Sequence, residues 1–236
     1  MLLNRRSTLI RAFTPLARSF KNFQSPGPKS LDSIVNIRKF EKEEPHAIEE
    51  IWNNYHLAVI DVVSRVVPID KYKLLLHRTK ESPMFVLPIF KNIGYANMVV
   101  QAQRDHILFT SMREYKEKES LAAPYVSLSH FTDLAQSKGI VLVRAEVNTD
   151  QVNKGEALEL IKNMYDFYLM DDLYRDFVQV FNLQPHMFSF DRLMEAVMKL
   201  RPPVAKQTKQ DPRGKIDLKK QTTTPITQSP HLIKKN

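Results

Sequence analysis

Apolar positions in this chain recur at three and four residues, then crowd into short runs, then return to three and four. Leu31, Ile34, Val35 and Ile37 predict a short helix from Ser30 to about Phe40, capped by Ser30 or Asp32. Pro45 fits the first turn of a longer helix, because a first-turn residue needs no N–H and proline already holds the helical φ. The stripe of that helix runs through Ile48, Ile51, Trp52, Tyr55, Val59 and Val62 until Pro68 interrupts it. A further helix carries Tyr72, Leu75, Leu76 and Thr79. Ser82 and Pro83 end it, since the residue before a proline avoids the helical region.

The runs Met84 to Phe90, Ala96 to Gln103, His106 to Thr110, Tyr125 to Ser129 and Gly139 to Val147 are rich in Val, Ile, Leu, Phe and Tyr and are separated by polar breaks. They predict five strands. The Gln103 to His106 interval is short enough for a hairpin, and Lys91, Asn92 and Gly94 supply residues for another. Pro88 cannot donate to a ladder, which predicts an edge strand or a bulge there. Ser111 to Lys118 and His130 to Ser137 read as helices between the strands. After Asn148 the helical period returns in Ala157, Leu158, Ile161, Met164, Tyr165 and Tyr168, and continues in Leu173, Phe177, Val180 and Phe181. Pro185 breaks the chain before a last amphipathic helix carrying Phe190, Leu193, Met194, Val197 and Leu200. Helices, then a mostly antiparallel sheet of about five strands, then helices again indicate a single α+β domain over residues 30–200.

Charge separates the ends from this domain. The chain of 236 residues carries a formal +9. Residues 1–30 hold six basic residues and no acid, giving +6, and residues 201–236 hold nine basic and two acidic residues, giving +7. Subtraction leaves about −4 for residues 31–200, so the basic balance belongs to the ends. Residues 1–29 mix Arg, Ser and apolar residues without acid, the composition of a mitochondrial transit peptide, and Pro26, Gly27 and Pro28 close the segment. A disordered basic tail has a similar composition. Residues 201–236 hold no aromatic residue and much Lys, Gln, Thr and Pro, which predicts a disordered basic tail.

Candidate chemistry is sparse. With no cysteine, a disulfide scaffold, thiolate metal sites and a cysteine nucleophile are excluded. No apolar run approaches the roughly 20 residues that span a bilayer, so stable membrane insertion is not expected. The seven histidines lack the spacing of a helical zinc site, and the five glycines are too dispersed to cradle a phosphate. No metal, cofactor or catalytic residue is expected. Ser127, Ser129, His130 and Asp133 hold the residue types of a hydrolase triad, but a serine followed by His-Phe-Thr-Asp equally reads as a helix start with Ser129 as cap. Tyr115, Lys116 and Lys118 mix aromatic and basic character as single-strand binders do, yet Glu114, Glu117 and Glu119 interleave with them and predict a solvated helix face. Residue chemistry thus leaves three function classes: a binding protein without an active site, an RNA- or ribosome-associated protein using the basic tail, and a small hydrolase.

Resemblance narrows them. The succession IWNNYH (51–56), SPMFVLPIFKNIGY (82–95), ILFTSMREYKEK (107–118), APYVSLSHFTDLAQSKGIVLVRAEV (123–147) and VFNLQPHMFSFDRLMEAV (180–197) resembles the mitochondrial ATP synthase F(1) complex assembly factor 1 family. The position after Gly94 and Tyr95, where relatives are expected to carry an acid, is Ala96 here. The resemblance implies a non-enzymatic chaperone of the mitochondrial matrix. Such a chaperone binds the unassembled beta subunit of the ATP synthase head and prevents its aggregation until the alpha subunit replaces it, with no nucleic acid involved. For the partner-binding surface the sequence offers Phe90, Tyr95, Met98 and Tyr115, since Phe, Tyr and Met are favoured at interface cores. Ordinary sheet packing is the alternative for each.

Overall fold

The apolar stripe of the long N-terminal helix stops earlier than its spacing suggests, and the residues beyond it form a strand. A computed structural model describes residues 29–201, so the leader expected over 1–29 and the tail expected over 201–236 lie outside it except for Lys29 and Arg201. A 3-10 turn (Leu31–Ser33) leads into α1 (Ile37–Phe40) and α2 (Pro45–Leu57). Val62 then enters β1 (Val62–Pro68) instead of prolonging α2. Val62, Val63, Val66 and Val67 are β-branched, stiff at χ1 and better suited to a pleated surface. Pairing with β6 (Ile140–Val147), from Val62 opposite Glu146 to Pro68 opposite Ile140, decides the matter.

Between them lie α3 (Ile69–Glu81), β2 (Met84–Phe90), β3 (Tyr95–Gln103), β4 (His106–Ser111), α4 (Met112–Lys118), β5 (Val126–Phe131) and α5 (Ala135–Lys138). The sheet order is β1-β6-β5-β4-β3-β2 with every neighbouring pair antiparallel, so the expected five strands are six. β5 runs on to Phe131 where a helix start was expected, and Ser129, expected as a cap, instead sits opposite Arg144 in the ladder. His130 N–H donates to the Asp105 carbonyl at 2.9 Å, which extends that strand. The short α5 ends at Gly139 in the left-handed region (φ 69°), a conformation that glycine adopts without steric cost.

Helices cover both faces. Trp52 of α2 and Phe40, with Leu31 and Val35, bury themselves against Phe131, Leu134 and Leu142 on one face. On the other lies α6 (Lys154–Leu169), started by a capping box in which Asn153 Oδ1 accepts from Glu156 N–H and Glu156 Oε2 from Asn153 N–H, both at 2.9 Å. The chain continues through α7 (Asp171–Leu173), a π-helical turn (Tyr174–Gln179), α8 (Val180–Leu183) and α9 (Phe190–Leu200). Phe85 of β2 anchors these elements, with Phe167, Phe181 and Phe188 rings at 5.4, 5.8 and 6.3 Å. Such aromatic pairs add to the burial of their area. Lys154 joins the layers: its Nζ donates to the carbonyls of His56, Leu57 and Val59 at 2.9, 3.0 and 2.6 Å, closing the carboxyl end of α2.

β2 is an edge strand, as Pro88 requires. Its outward-facing end is plugged by one side chain. Asn182 Nδ2 donates to the carbonyls of Met84 (2.6 Å) and Val178 (2.8 Å), while its Oδ1 accepts from Met84 N–H at 3.2 Å. Asn182→Ala leaves both Met84 groups without this partner and is expected to lower stability by about 1–3 kcal/mol. Urea denaturation checks it. A loss under half the lower bound means that water replaces the amide without cost.

Candidate functional site: a cationic cleft beside the β2–β3 hairpin

The β2–β3 hairpin turns through residues 91–94, closed by Lys91 N–H donating to the Gly94 carbonyl at 3.1 Å, with Gly94 at φ 77°. Its tip projects apolar groups into solvent: Ile93 is 95% exposed and Tyr95 49%. Beside it lies a cleft of about 510 Å³ between the hairpin, α4 and the loop before α6. Ile89, Met98, Met112 and Val152 form its apolar floor, and Lys91, Arg113 and Lys116 stand at its rim without a carboxylate among the lining groups.

Local geometry assigns these charges. Ser111 Oγ caps α4 by accepting from Glu114 N–H at 3.4 Å. Glu114 pairs with Lys118 one turn on at 2.6 Å, and this contact first, opposed by burial, holds its carboxyl below the usual range. Arg113 and Lys116, three residues apart, share a side of α4. Neither forms a salt bridge among the described residues, whereas Lys91 is bound by Glu156 at 2.7 Å. Burial, then the bond to Glu114, push the Tyr125 hydroxyl up, so it stays neutral as a donor at the cleft wall. Asn97 Oδ1, also in the wall, is buried without a donor.

The four expected partner-binding residues divide. Tyr95 stacks on Phe190 (6.1 Å) and neighbours Phe90 (6.5 Å), which lies under the Arg201 guanidinium (4.1 Å); both rings remain partly open to solvent. Met98 is 1% and Tyr115 8% exposed, so these two pack inside, Met98 as floor of the cleft. Sequence reasoning missed Arg113, Asn97 and Val152, which no spacing rule joins.

The triad-like residues separate as well. Successive residues of a strand point to opposite faces, so Ser129 and His130 cannot share a site. Ser129 Oγ meets His106 Nδ1 at 3.2 Å. His130 is clamped on the other face: its Nδ1–H donates to the Asp105 carbonyl at 3.1 Å and its Nε2 accepts from Tyr165 O–H at 2.8 Å. Burial lowers its pKa to about 4, against the raising effect of the Asp105 carbonyl. Tyr72 O–H completes the network by donating to Asp105 Oδ1 at 2.6 Å. Every polar atom of the imidazole is committed to the fold. Among the described residues no three His, Asp or Glu side chains converge as a metal site would need, and no helix is long and apolar enough to cross a membrane.

Comparison with known proteins identifies the family. The model of the family described as ATP11 protein matches residues 6–194. The chain belongs to the ATP11 family. Among its relatives, the human protein named ATP synthase mitochondrial F1 complex assembly factor 1 is 31% identical over 164 residues, 69% of this chain and 49% of the relative. The mouse protein of that name is 29% identical over 69% of this chain and 50% of its own length. Protein atp11, mitochondrial, of Schizosaccharomyces pombe is 28% identical over 63% of this chain and 54% of its own length. The chain thus spans about half the length of these ATP11 relatives.

Proposed function

We propose that this chain is a non-enzymatic assembly factor of the mitochondrial F1 ATP synthase that holds the unassembled beta subunit in the matrix until the alpha subunit replaces it. Membership of the ATP11 family, whose relatives carry the name of F1 assembly factors, is the observation that carries the reading. The surface agrees with it. A subunit waiting for its neighbours exposes apolar interface, and a reversible partner that covers it suppresses aggregation by mass action. The exposed Ile93 and Tyr95 beside an open cleft supply apolar contact. The leader expected over residues 1–29 would direct the chain to the matrix; a mature protein that retains Met1 would count against that step.

The test is light scattering. Purified beta subunit diluted from denaturant should aggregate alone, stay soluble with an equimolar amount of this chain, and be released on addition of alpha subunit. Protection of alpha with none of beta would assign the chain a different client.

A further inference from the structure

We propose that the cleft between the β2–β3 hairpin and α4 takes up a short extended segment of the protein partner, in which an apolar side chain enters the cleft and flanking carboxylates meet Arg113 and Lys116. The inference deepens the assembly-factor reading and rests on it for the identity of the partner. Two features of the cleft specify the occupant. Ile89, Met98, Met112 and Val152 offer an apolar floor in about 510 Å³, room for a Leu- or Phe-sized side chain and its flanks. Arg113 and Lys116 are exposed, project from one side of α4 and form no salt bridge among the described residues, while Glu156 compensates Lys91 and Lys118 compensates Glu114. The rim therefore carries positive charge that an acidic segment complements.

An apolar floor with a charged rim is the arrangement in which the floor supplies affinity and the rim selects the partner. A free phosphate would use the cations and leave the floor unmatched. A purely apolar peptide would leave the cations unmatched. An acidic segment with an apolar side chain satisfies both. Ala96 keeps the hairpin wall small and uncharged, so nothing on that side repels a carboxylate.

The experiment uses the full chain, labelled peptides tiling the beta subunit, and fluorescence anisotropy. Arg113→Glu with Lys116→Glu reverses the rim, and Lys71→Glu with Lys73→Glu makes the same change of net charge on α3, where both side chains are exposed. Peptides combining Asp or Glu with a central apolar residue are expected to bind the parent. The rim variant should weaken them by about tenfold or more, the α3 variant should not, and added salt should weaken them in the parent. Replacing the central apolar residue of the peptide by serine should also abolish binding. Equal affinity for parent and rim variant, or preference for peptides without carboxylates, overturns the proposal. Capture of intact beta subunit is scored separately. If the parent fails to hold beta while acidic apolar peptides still bind in a rim-dependent way, the cleft stands and the client reading falls. If it holds beta equally well with the rim reversed, the reverse is concluded.

Discussion

Trp52→Ala is expected to cost about 3–5 kcal/mol of stability, the range for removing a large aromatic side chain from a core that collapses only partly. Trp52 is fully buried, packs its ring edge-on against Phe131 (6.2 Å) and His56 (4.3 Å), and donates its indole N–H to the Val143 carbonyl at 3.0 Å. Alanine removes the apolar contact and leaves Val143 with one acceptor bond fewer. Two costs then add. Among the described residues the small core under α2 consists of Leu31, Ile34, Val35, Phe40, Ile48, Phe131, Leu134 and Leu142 besides Trp52, with Ile37, Ile51, Val66 and Ile140 partly buried against it, so few side chains can move in to fill the space. Urea denaturation of the full chain measures the loss. Trp52→Phe, which keeps most of the volume and deletes the donor, should fall between alanine and the parent. A loss below about 1.5 kcal/mol for alanine would mean that this N-terminal layer is already loose and contributes little to the global transition.

The same layer shows where the sequence was legible and where it was not. Stripes at three and four residues located α2, α3, α6 and α9, Pro45 marked the start of α2 and Ser82 with Pro83 the end of α3, because burial of one face and capping are local properties. β1 escaped for a specific reason: Val59 and Val62 prolong the helical spacing of Ile48, Tyr55 and their neighbours, and only the ladder with β6, some 80 residues away in sequence, reveals a strand. His130 escaped likewise. It read as the start of a helix, whereas its neutral imidazole belongs to a polar network assembled from β5, α6 and the β3–β4 turn. At the cleft, Glu114, Glu117 and Glu119 between the basic residues of α4 suggested a neutralised face. In three dimensions Glu114 turns to Lys118, and Arg113 and Lys116 remain on the cleft side. Composition counts charges, but helical phase decides which of them meet. The aromatic residues offered as a contact surface show the same limit: Tyr95 is half exposed and Met98 is floor, although both lie on β3.

Acidification from pH 7 is expected to weaken the fold well before the bulk of the carboxylates protonate, and His130 is the group to watch. Its pKa falls from an ordinary 6.5 to about 4 because burial among Tyr72, Tyr165 and the β3–β4 turn disfavours the charged imidazolium. The sign follows from proton counting. Above 6.5 neither folded nor unfolded chain protonates this histidine, and its contribution is constant. Between 6.5 and 4 the unfolded chain binds a proton that the folded one refuses, so stability declines as pH falls through that window. The full difference amounts to roughly 3 kcal/mol, of which about 2 kcal/mol should be lost by pH 5. His56, buried beside Trp52 and lowered to about 4 by burial, with Arg144 and Lys154 acting in the same direction, adds to the decline. Neither effect depends on a catalytic role. Stability of the parent, His130→Gln and His56→Gln should be measured by urea denaturation from pH 7.5 to 5. Each glutamine variant starts lower, having lost imidazole hydrogen bonds, but its curve should be flatter in pH than the parent's, the more so for His130→Gln. Parallel curves for all three proteins would show that these imidazoles gain protons in the folded state as readily as in the unfolded chain, and that the closed network around His130 opens to water at little cost.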